Sequence, residues 1–154
     1  MARPSADPVH CWLVWMRAHE AAVDYLLAGI EETGISFTDF RILEALLHKG
    51  PLPVNTIGPK VNLTPGSISV AVDRLLERGL VSRVESSEDR RVRMVALTKA
   101  GKDVIVPVFR KHAAEIAKMF SDASPKELEV FETVLKKTGK RAKSLGSARR
   151  AGPE

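Results

Sequence analysis

Two groups of residues in this chain have a chemistry that can be read from type and spacing alone. One is the polar run Ser86-Ser87-Glu88-Asp89-Arg90-Arg91, which ends in adjacent guanidinium groups. The other is Thr64-Pro65-Gly66-Ser67-Ile68-Ser69, where hydroxyls and small side chains leave room for a large partner to approach. Both kinds of group donate to phosphate oxygens. Charge summed in blocks points the same way. Residues 60–102 carry 9 basic and 5 acidic side chains and residues 136–154 carry 7 and 1, whereas residues 1–59 carry 4 and 7 and residues 103–135 carry 4 and 6. Two basic islands in a mildly acidic body suit a polyanion such as nucleic acid. For the second island (Lys136, Lys137, Lys140, Arg141, Lys143, Arg149 and Arg150) the bland reading is a solvated end.

Catalysis has no comparable constellation. His10, His19, His48 and His112 are scattered, and the chain contains no H-E-x-x-H, P-loop or Gly-rich dinucleotide fingerprint. The spacing of His and carboxylates singles out no metal site, and nothing calls for a cofactor. An enzyme is not expected. Cys11 is the single cysteine, so no internal disulfide forms, which fits a reducing compartment. With no signal-peptide pattern and no run of about 18 apolar residues to span a membrane, a cytosolic protein is expected.

The elements that must position these residues follow from hydrophobic spacing. The 154 residues, 44% apolar, are about one domain's worth. Trp12, Trp15, Met16, His19, Ala22, Val23, Leu26, Leu27 and Ile30 recur at a 3-4 spacing, which predicts a helix from about Cys11 to near Gly34. Thr38 or Ser36 can cap a second helix bearing Phe40, Leu43, Leu46 and Leu47, stopped by Gly50-Pro51. A short element, Val54–Lys60, is cut by Gly58-Pro59. Thr64-Pro65 then starts a helix that runs to about Arg78 and is closed by Gly79. At 100° steps it buries Ile68, Ala71, Val72, Leu75 and Leu76 and exposes Gly66, Val70, Asp73, Arg74 and Glu77, with Ser67 and Ser69 at the margins.

Leu80–Glu85 and Val92–Leu97 read as a hairpin with a cationic tip. Thr98 caps a long helix containing Pro107, where a kink is expected, and Ser124-Pro125-Lys126-Glu127 is a capping box opening the last helix. The expected map is a flexible start over 1–9, a winged module over 35–98, dimerisation helices over 10–34 and 99–138, and a basic disordered tail over 139–154.

Three helices, the last with a small polar face, followed at once by a basic hairpin, form the layout of a winged helix-turn-helix, mainly α with a small β wing. At Leu63-Thr64-Pro65-Gly66-Ser67-Ile68-Ser69, Val72-Asp73-Arg74-Leu75, Arg78-Gly79-Leu80-Val81-Ser82-Arg83 and Asp89-Arg90-Arg91 leading to Leu97-Thr98-Lys99-Ala100-Gly101, the sequence resembles the multiple antibiotic resistance regulator (MarR) family. Leu46-Leu47-His48-Lys49-Gly50 with Asn55-Thr56-Ile57-Gly58 is similar to the branch that responds to methylhydroquinone and catechols. The resemblance implies a triangular homodimer on a palindromic operator of double-stranded DNA, with repression usually relieved by a small phenolic ligand or an oxidant. It assigns Thr64, Ser67, Ser69, Val70 and Arg74 to the major groove and Arg91, with Arg90 beside it and Asp89 holding it, to the minor groove. Val70 departs from the polar or basic residue common there, and a thymine methyl is the contact open to it. Asp73 and Glu77 would repel phosphate unless paired with Arg74 or Arg78; the plain alternative is an Asp73–Arg74 helix salt bridge.

The first helix and the last two carry apolar stripes with no other obvious cover, so they are expected to interlock across a two-fold axis. In proteins resembling this one the ligand crevice lies between those helices and the winged module, which implies Trp12, Trp15, Met16, His19, Phe37, Phe40 and Arg41 as its walls; the same residues also suit plain core. Cys11 is a rival input, since some relatives sense peroxide with a cysteine in this region, although a lone cysteine is more often inert. A sequence-indifferent architectural DNA binder and a protein–protein adaptor are the remaining alternatives.

Overall fold

Asp7 opens the first helix, α1 (Pro8–Glu31): its carboxylate accepts from the N–H groups of Val9 and His10 at 3.2 and 3.3 Å, and Pro8 suits the first turn. The computed structural model describes residues 7–85 and 93–151. Helix α1 begins ahead of the Cys11 start expected from periodicity because its cap lies upstream of the apolar stripe; the rest of the expected flexible start, residues 1–6, lies outside the described residues. Ser36 rather than Thr38 caps α2 (Phe37–Lys49), its hydroxyl accepting from the Asp39 N–H at 3.1 Å. There follow β1 (Leu52–Pro53), α3 (Val54–Lys60), α4 (Pro65–Glu77), β2 (Val81–Glu85), β3 (Arg93–Leu97), α5 (Lys99–Met119) and α6 (Pro125–Ala151).

The sheet is antiparallel in the order β1-β3-β2, with β2 and β3 in register from Val81↔Leu97 to Glu85↔Arg93. Strand β1 was not expected, since two residues are too few for an alternation signal. It pairs Leu52 with Val95 at the sheet edge, where a proline is tolerated. The core gathers Phe40, Ile42, Leu43 and Leu46 of α2 with Ile57, Ile68, Val72, Leu75, Val95 and Ile105. Each such side chain contributes roughly 1.5–3 kcal/mol of burial. This is the mainly helical winged-helix architecture expected.

Pro107, read as a kink site, sits inside α5, which continues as helix on both sides of it. Helix α6 opens on the expected capping box, the Ser124 N–H donating to Glu127 Oε2 at 2.8 Å and the Glu127 N–H to Ser124 Oγ at 3.3 Å. The tail is a correction: residues 139–151, expected to be disordered, continue α6. Lys, Arg, Ala and Leu are good helix formers, cations suit a helix C-terminus, and no proline intervenes before Pro153. The chain divides into two units, Met1–Ile116 and Ala117–Glu154. Among the described residues no helix is long and apolar enough to cross a membrane.

Candidate nucleic-acid interface

The outward face of α4 is fixed from both ends. At its start Thr64 Oγ1 accepts from the Ser67 N–H at 3.2 Å and shares a 2.8 Å hydrogen bond with the Ser67 hydroxyl. The turn from α3 into α4 passes through Asn62 in the left-handed region at φ 57°. Gly58 lets the two helices close on each other: a Cβ there would lie 3.3 Å from the Leu63 carbonyl and 3.4 Å from Ile68 Cγ2. At the far end Gly79, at φ 66°, donates to the Leu76 carbonyl at 2.9 Å while the Leu80 N–H reaches the Leu75 carbonyl at 3.0 Å. That is a Schellman closure, which needs the left-handed residue that glycine supplies.

The hairpin is tied to the same point. Thr98 Oγ1 donates to the Gly79 carbonyl at 2.7 Å and accepts from the Gly101 N–H at 3.0 Å, so one hydroxyl closes α4 and caps α5. Gly101 packs so tightly against the chain after α4 that a Cβ would fall 1.9 Å from the Leu80 carbonyl oxygen. The outer face of α4 and the hairpin therefore share one anchored junction.

On α4, Ile68, Ala71, Val72 and Leu75 are buried while Gly66, Ser67, Ser69, Val70, Asp73, Arg74 and Glu77 are exposed, the division expected from the helical wheel except that Leu76 is only half-buried. Val70 is 66% exposed. The Ser69 hydroxyl donates to the Pro65 carbonyl at 3.1 Å, so its lone pairs rather than its proton face outward. Thr38 of α2 joins Leu63, Gly66, Ser67, Val70, Ala71 and Arg74 around a shallow depression in this face.

The pairing of the charges is a correction. Arg74 does not pair with Asp73. Its Nη2 donates to Asp39 Oδ1 at 2.5 Å, and Arg78 Nη1 donates to Asp39 Oδ2 at 3.1 Å. Asp73 is instead bound by Arg83 of β2 at 2.7 Å. Asp39 is the one buried charged residue among those described, its side chain 3% exposed while Arg74 and Arg78 are 44% and 42% exposed. The hydrogen bond to Asp39 holds the Arg74 pKa above its ordinary value, against the opposing pull of burial. Sequence reasoning missed Asp39, whose partners lie 35 and 39 residues away. Its one local signal was an acid in the first turn of a helix, where the macrodipole already explains it. Asp89, Arg90 and Arg91 lie outside the described residues; β2 and β3 are the strands that lead to and from them.

The residues expected to line a ligand crevice do not come together. A cavity of about 190 Å³ is lined by Val23, Leu26 and Leu27 of α1, Phe37, Phe40, Arg41 and Glu44 of α2 and His112 of α5. Phe37, Phe40 and Arg41 are there; Trp12, Trp15, Met16 and His19 are not. For Trp12 the reason is axial distance, since Val23 stands 11 residues beyond it, about 16 Å along α1. Trp12 and Met16 are 52% and 43% exposed. Phe40 is core, its ring 4.9 Å from His112, and Arg41 stacks 5.6 Å over Phe37 while donating to the Lys60 carbonyl at 3.4 Å. Cys11 is free and exposed in an early turn of α1.

A family model described as MarR family matches residues 35–92. The chain is 38% identical over 134 residues, 87% of its length and 92% of the relative's, to the HTH-type transcriptional regulator MhqR of Bacillus subtilis (strain 168). Among solved structures it is similar to a MarR-family transcriptional regulator from Silicibacter pomeroyi, with a TM-score of 0.69 and 28% identity, covering 81% of this chain and 84% of that one. AbsC, a MarR family transcriptional regulator from Streptomyces coelicolor, shares the fold at TM-score 0.78 and 20% identity over 93% of this chain and 99% of its own.

Proposed function

This chain belongs to the MarR family of DNA-binding transcriptional regulators, and on that premise we propose that it is a repressor, a homodimer seated on a palindromic operator and released by a small phenolic ligand. The observation that carries the reading is the doubly anchored, small and polar outer face of α4, followed by a hairpin fixed to the same junction. Such a face fits a major groove, and the hairpin reaches the flanking minor groove through Arg91. We assign Thr64, Ser67, Ser69, Val70, Arg74, Asp89, Arg90 and Arg91 to the interface, with Arg74 already held by a carboxylate.

Two such faces meet one side of a duplex only when set about 34–36 Å apart. The helices assigned to set that spacing are those over 10–34 and 99–138, with residues 35–98 as the reading module. In support, Trp12, Leu13 and Met16 of α1 and Val130, Phe131 and Val134 of α6 are all more than two-fifths exposed in the single chain. For the ligand, the cavity beneath Phe37 and Phe40 offers aromatic walls with Arg41 and His112 as polar handles. A bound ring relieves repression only by preferring a spacing that does not fit DNA.

Binding-site selection on random duplexes tests this directly. The expected result is a palindrome with half-site centres one helical turn apart, and an Arg91→Ala variant bound at least about tenfold more weakly. Equal recovery of all sequences points instead to an architectural binder and defeats the proposal.

A further inference from the structure

Asp39 does more than stabilise the fold: we propose that it is a positioning residue that fixes the direction in which Arg74 meets DNA and so sets discrimination between operator and random sequence. The inference rests on the reading that α4 faces the duplex. Its ground is the juxtaposition of a buried anion with an exposed recognition face. The carboxylate is 3% exposed, yet each oxygen holds an arginine that is more than two-fifths exposed, at 2.5 Å for Arg74 and 3.1 Å for Arg78. Arg74 is thus fixed at its guanidinium while lining the depression shared with Thr38, Gly66, Ser67 and Val70.

A long side chain tethered in this way presents its remaining donors in one orientation, with its rotamer entropy already lost before DNA arrives. The tether also joins α2, which belongs to the core, to the last turn and the C-cap of α4, and so sets the roll of that helix end about its axis. A carboxylate buried just beneath a DNA-facing surface otherwise opposes phosphate, so this arrangement costs non-specific attraction while it orders the specific contact.

These two consequences have opposite signs, which makes them separable. Neutralising the carboxylate in Asp39→Asn frees two guanidinium groups and adds one unit of positive charge. Operator binding is expected to weaken about tenfold or more, while binding to a random duplex is unchanged or tighter, so the ratio between them falls. A purely structural role would lower both affinities by the same factor, through the fraction of chain unfolded.

The test measures both affinities by fluorescence anisotropy at matched salt, against an operator obtained by selection with the natural chain. The variants are Asp39→Asn, Asp39→Glu, Arg74→Gln and the double variants. Circular dichroism identifies which Asp39 variant folds, and that one is carried through the cycle. Asp39→Glu keeps the charge count but displaces the guanidinium, so its ratio is expected to fall with no change in salt dependence. In the double variant the operator loss is expected to be no larger than for Arg74→Gln alone. An unchanged ratio in the folded Asp39 variant, or losses that multiply in the double variant, overturns the proposal while leaving the repressor reading intact. A natural chain with no preference for any duplex removes both.

Discussion

Val70 shows how much one side chain on an exposed face can decide. It is an aliphatic group, 66% exposed, on a surface otherwise made of hydroxyls, glycine and charge, so it adds nothing to the core. Apolar contact with a thymine methyl is the readout open to it. Replacing it with asparagine, which pairs with adenine, is expected to move the preference at one operator position from thymine towards adenine. Repeating the selection with Val70→Asn checks this, and thermal stability is expected to change by no more than about 0.5 kcal/mol, as for other surface substitutions. The exposed and buried sides of α4 were legible because 100° steps sort thirteen consecutive residues without knowledge of their surroundings. Asp39 and Asp73 were not, since their partners Arg74, Arg78 and Arg83 sit on other elements and no periodicity relates them.

At the scale of elements, the caps carried most of what could be read. Thr64, Thr98 and Ser124 each hold the backbone N–H of the residue three further on, so their helices began where expected. Strand β1 and the helical tail escaped for opposite reasons: the strand is too short to show a period, and the tail has the charge of a solvated end but the side chains of a good helix. Gly101 gives the sharpest test here. A methyl group 1.9 Å from the Leu80 carbonyl cannot be absorbed by rotating a side chain, because its neighbour is backbone. Gly101→Ala is expected to cost about 3 kcal/mol, the upper end for overpacking, and to lower the melting temperature by about 6–12 °C in calorimetry. The winged module is expected to loosen at the hairpin first.

For the whole molecule, the proposed pairing of two chains is the property on which the proposed operator reading depends. Helix α6 exposes Val130, Phe131 and Val134, which water disfavours, and its far half carries cations that keep it soluble. Sedimentation at micromolar concentration is expected to give twice the chain mass. Phe131→Glu with Val134→Glu is expected to give single chains, with operator affinity falling at least a hundredfold while helicity is kept. Of the residues expected to wall a crevice only Phe37, Phe40 and Arg41 line the cavity, because a stripe of apolar residues on a long helix does not say which of its turns meets the next helix.

The junction at Leu80 and Gly101 has one further consequence. Helix α5 is clamped to the hairpin at Gly101 in its first turn and forms a wall of the cavity at His112, 11 residues or about 16 Å further along. If the proposed ligand sits beside His112, the joint leaves no slack at the first turn of α5, so a tilt of that helix is expected to reach β2 and β3 directly.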